Sequence, residues 1–128
     1  MAEAGIDLNI KNLMLSNAII EHRMSGMVLD LNDLNRQATE FTKDKNEALK
    51  NARAIYGEDS SAYESIKEEI QDDFDYRMAL VEDETVAINT QKSVDEAQHK
   101  ANDTLLEGFK QQRSQNIQKD FGYFSKKK

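Results

Sequence analysis

The chain has 128 residues, enough for one domain with a modest core. It carries a formal net charge of -7, contains no cysteine, proline or tryptophan, and is only 7% aromatic. These values exclude a disulfide framework, a thiolate metal site and a cysteine nucleophile, and they leave few large anchors for a globular core.

With no proline and five glycines to interrupt a chain rich in Ala, Leu, Glu, Lys and Gln, the composition predicts an all-α protein. From Ile6 to Ile55 the apolar positions step by three and four residues, the spacing of a coiled-coil seam. One set reads Ile6, Leu13, Ile20, Met27, Leu34, Phe41, Ala48 and Ile55; the other reads Ile10, Asn17, Met24, Leu31, Ala38, Lys45 and Ala52. A first helix over about 6–56 follows. Asn17, polar within that seam, is read as a residue that fixes register rather than as a binding site.

Gly57 stands where a left-handed C-terminal cap is wanted. Ser61 and Glu64 then form an S-x-x-E capping box that opens a second helix over about 61–121. A turn as short as 57–60 makes the two helices antiparallel neighbours. The expected fold is therefore a single domain, residues 1–128, built as a long antiparallel helical hairpin that is coiled-coil-like.

Pairing residues whose numbers add to 118 sets Lys45 by Asp73, Leu31 by Ala87, Met24 by Val94, Asn17 by Ala101 and Ile10 by Gly108. In the alternate layers Phe41, Leu34, Met27 and Ile20 would face Arg77, Glu84, Gln91 and Gln98, and so would lack apolar cover within the hairpin. Leu15, Ile19 and Leu29 lie off the seam of the first helix, and Phe74, Val81 and Ile88 occupy a flanking lane of the second. Leaving such side chains in water forgoes roughly 25 cal/mol per Å² of apolar area. These ten residues are therefore expected to be covered by other copies of the chain, with oligomerisation completing the fold.

The last stretch, 109–128, carries one acid against six bases and places Phe109, Ile117, Phe121 and Phe124 along a helix. It reads as a basic aromatic tail suited to docking a partner protein. The rest of the chain lacks the basic face of a nucleic-acid binder, and no window has the roughly 20 apolar residues of a membrane span. The N-terminus lacks a Sec-type signal, which leaves a cytoplasmic protein or one exported by another route.

The acid run Glu68 to Asp75 lacks the spacing of a calcium loop and reads as a solvated helix face. Glu96 and His99 form an E-x-x-H with Glu21 opposite, a candidate metal set in the manner of ferritin-like di-iron hairpins, although both residues fall off the seam. No nucleophile elbow and no glycine-rich phosphate loop is present, so no catalytic residue and no cofactor is expected.

The leading expectation is a non-enzymatic structural protein that self-associates into an oligomer or filament. In architecture this plan resembles the helical subunits exported through type III and flagellar systems. Residues 20–32, IEHRMSGMVLDLN, are loosely similar to the N-terminal helix of flagellins, whose apolar terminus the lysine-rich end here does not share. The first alternative resembles scaffolding proteins and helical chaperones, in which a tail docks a partner. The second is the di-iron hairpin.

Overall fold

The computed structural model describes the backbone of residues 2–126 and the side chains of residues 4–122. Phe124 of the expected docking tail lies outside the described side chains. The protein is an all-α helical hairpin of two helices, α1 (Ala2–Tyr56) and α2 (Ser61–Lys126), packed against each other, with no strand among the described residues. No described helix is long and apolar enough to cross a membrane. The chain forms two compact units, unit 1 (Met1–Gly26 with Lys92–Lys128) and unit 2 (Met27–Gln91).

Unit 2 contains the turn. Gly57 adopts φ +84°, the left-handed conformation that a Cβ would strain, and its N–H returns to the carbonyl of Arg53 at 3.0 Å to close α1. The cap of α2 differs from expectation. Ser60, not Ser61, accepts a hydrogen bond from the N–H of Tyr63 at 3.1 Å, so the helix is capped one residue earlier and the Ser61–Glu64 box is not used. The buried residues of this unit are Met27, Leu34, Ala52, Tyr63 and Val81. Leu31, Phe41, Lys45, Ala48, Ile70, Phe74, Met78, Thr85 and Ile88 are half-buried around them. The Lys45 ammonium lies 4.5 Å from the centre of the Phe74 ring, and the Arg77 guanidinium 5.5 Å from that of Phe41, so each helix covers an aromatic ring of the other with a cation.

Unit 1 holds an apolar cluster of Ile6, Ile10 and Leu106, with Leu13 and Phe109 packed on it. Phe109, expected in the docking tail, therefore belongs to the core. Ile20 is also buried. Beyond the cluster the inward positions of α2 are Asp95, His99 and Asn102, two of them among the three buried polar residues of the described chain.

These burials correct one expectation. Ile20 is 3% exposed, Met27 7%, Leu34 5% and Val81 8% within the single chain, so they do not wait for cover from another copy. Phe41, Phe74 and Ile88 are half-buried as well. The cause is a rotation of α2 by one residue from the expected lane. Leu80 and Val94 point outward at 50% and 56% exposure, while the neighbouring lane of Val81, Ile88, Asp95 and Asn102 turns inward. Leu15, Ile19 and Leu29 stand outward at 55–68% exposure.

Candidate functional site

The densest side-chain chemistry lies in unit 1, where the seam becomes polar. Asp95 is 1% exposed and receives both arms of the Arg23 guanidinium, Nε to Oδ2 at 2.7 Å and Nη2 to Oδ1 at 2.8 Å. The planar fork matches the carboxylate, which is the geometry in which arginine pairs most strongly. Hydrogen bonding to Asp95, and then the charge of Asp95, push the Arg23 guanidinium above its ordinary pKa.

One heptad further along α2, Asn102 is 2% exposed and uses both its N–H bonds and its carbonyl. It donates to Asn17 Oδ1 at 3.0 Å and to Ser16 Oγ at 3.1 Å, and accepts from Gln98 Nε2 at 2.9 Å. Asn17 in turn donates to Asp103 Oδ1 at 2.9 Å. Nearer the chain ends, Arg113 donates to Asp7 at 3.2 Å. Among the described residues no buried side-chain polar atom lacks a partner, so the network carries no unmet desolvation penalty.

His99 sits between two carboxylates, with Nε2 2.9 Å from Glu21 and Nδ1 3.1 Å from Asp103. A neutral ring would turn a lone pair toward one of them; only the imidazolium donates to both. The hydrogen bond to Glu21 accordingly raises the His99 pKa, with burial opposing and the charges of Asp103 and Glu21 adding to the rise.

The candidate metal set is not assembled. Glu21 and His99 meet, but as an ion pair, and among the described residues no group of three or more His, Cys, Asp or Glu side chains converges in a ligating arrangement. Glu96 points outward. The chemistry of the ladder is that of a register lock. Sliding α2 by one heptad would bring Asp95 beside Ser16 and Asn102 beside Ile10, stranding a buried carboxylate and a buried amide.

Asp95, Asn102 and Arg23 were not singled out by the sequence, yet a signal was present. Asp95 and Asn102 lie seven residues apart, and the pairing sum of 118 sets Arg23 opposite Asp95. Asn17 is buried in the seam as expected and bonded across it.

A second feature is the outer side of unit 1. Leu15, Ile19, Asn12 and Gln98 border one shallow groove beside Ile20 and Arg23. Val94 and Leu105 share the stripe of Gln98 on α2, at spacings of four and seven residues, and are 56% and 51% exposed. No known family model matches the chain, nor does any curated protein or solved structure.

Proposed function

We propose that this chain is a non-enzymatic assembly protein whose coiled-coil-like hairpin associates with further copies of itself through the outer side of unit 1. The observation that carries this reading is the exposure of Leu15 and Ile19 at one groove, 62% and 55%, together with Val94 and Leu105 on the α2 stripe of Gln98, which borders that groove, 56% and 51%. Covering the exposed half of such a side chain is worth about 1 kcal/mol, so the eight contributed by two copies approach the cost of association. The occupant proposed is a second copy because the same patch on two chains can face itself in a self-complementary contact, each copy covering the other's four apolar side chains.

The polar ladder supports the same reading. By fixing the register of α1 on α2, it holds residues of both helices in one constant outer surface, as repeated assembly requires.

Light scattering coupled to size exclusion tests the proposal at tens of micromolar. The expected mass exceeds one chain and falls in a Leu15→Ser, Ile19→Ser variant with unchanged helicity. A wild-type mass of one chain throughout, or an unaltered mass in the variant, overturns it.

A further inference from the structure

In unit 1 the residue numbers of cross-helix partners add to 118 for Arg23 with Asp95, 119 for Asn17 with Asn102 and 120 for Asp7 with Arg113. The first residue of α1, Ala2, therefore faces α2 near residues 116–118. α2 runs on to Lys126, so its last turns from Lys119 have no described α1 residue opposite. On this overhang Phe121 is 75% exposed, and Ile117, one turn before it, is 54% exposed. The same segment is basic: residues 109–128 carry six bases and one acid.

Unit 2 bears a surface of the opposite character. Residues 68–84 carry eight acids and one base, Arg77. Within that stretch Tyr76 and Leu80, one helical turn apart, are 66% and 50% exposed, and Glu69, Asp73 and Asp83 continue their stripe at spacings of three and four.

We propose that the α2 overhang of one copy docks on the Tyr76–Leu80 stripe of a second copy, Phe121 and Ile117 meeting the apolar pair while the lysines meet the acids around it. The idea rests on self-association but uses surfaces other than the groove of unit 1. Charge selects this occupant: overhang against overhang brings like charges together, and the rest of unit 1, residues 4–26 and 92–108, carries six acids against four bases where 68–84 carries eight against one. Because the two surfaces differ, the contact is head-to-tail. Each added copy leaves one overhang and one stripe free, so it propagates to a ring or an open fibre.

The test uses full-length chain in the Leu15→Ser, Ile19→Ser background, followed by sedimentation velocity and electron microscopy at low and high salt. Phe121→Glu breaks the overhang, and Tyr76→Lys with Leu80→Lys breaks the stripe. All three positions are outward, and circular dichroism confirms that helicity is retained.

Each variant alone is expected to weaken association roughly tenfold or more. An equimolar mixture of the two restores one junction and stops at a pair, since the remaining ends are the two broken surfaces. Added salt weakens the unmutated junction. Association indifferent to both variants, or a mixture that does not form the capped pair, overturns this contact while leaving self-association through unit 1 standing. A monomeric wild type overturns both. An overhang that binds some other protein while Tyr76→Lys, Leu80→Lys leaves the chain's own assembly intact assigns it a different occupant and overturns the contact.

Discussion

Units 1 and 2 are made from the same two helices yet are held by different chemistry. In unit 2 every buried residue is apolar or aromatic, and the charges at the seam, Lys45 and Arg77, lie over phenyl rings. In unit 1 apolar burial is interrupted by Asn17, Asp95 and Asn102, each satisfied by a named partner on the other helix. Apolar contacts are not directional, so unit 2 takes its alignment from the short turn at Gly57, whereas unit 1, at the open end, takes it from hydrogen bonds that only one register satisfies.

The sharpest break in that comparison is Leu34→Ala. Leu34 is 5% exposed, and its truncation in an apolar seam is expected to cost about 2–4 kcal/mol, most of it lost from unit 2. Urea unfolding measures the total, and hydrogen exchange resolved along the chain shows whether amides of 27–91 open first. Equal loss of protection in both units would mean that they do not differ in what holds them.

Asn102→Ala comes next, expected to cost about 1–3 kcal/mol because Ser16, Asn17 and Gln98 each lose a partner. Asn17→Leu with Asn102→Leu sharpens the point. The pair should recover stability while loosening register, read as broadened distances between spin labels placed on cysteines introduced into each helix. A narrow distribution in the double variant would show that the turn alone suffices. Ser60→Ala, which removes the cap on Tyr63, is expected to cost about 1 kcal/mol, and the loss should stay near the turn.

The same contrast explains what the sequence disclosed. The inward positions of α1, from Ile6 through Ile20, Met27 and Leu34, were legible because their apolar residues recur without a slip. Those of α2 were displaced by one, because apolar counting prefers Val94 and Ala101 to Asp95 and Asn102. A partnered polar residue behaves as core but reads as surface, and the partner lies about 70 to 90 residues away. Ser60 and Ser61 posed a smaller version of the problem: adjacent serines both fit a cap, and the choice depends on backbone dihedrals that composition does not carry. The outward residues Leu15 and Ile19 were legible for the reason α1 was, whereas the groove joining them to Gln98 required the rotation of α2 to be known.

The smallest predicted effect is a pH dependence confined to unit 1. His99 donates to Glu21 and Asp103 only as the imidazolium, and its pKa is raised above the ordinary 6.5. A raised folded-state value means the charged ring stabilises the fold. That contribution is complete below the ordinary value, provided the two carboxylates remain ionised, and disappears as pH rises through the raised one. Wild type should therefore exceed His99→Gln in thermal midpoint at mildly acidic pH, with the two converging as the solution becomes alkaline. Unit 2 has no histidine. Hydrogen exchange should accordingly place the pH-sensitive amides around residues 17–21 and 99–103, and a uniform response over both units would assign the dependence to net charge instead of to this ion pair.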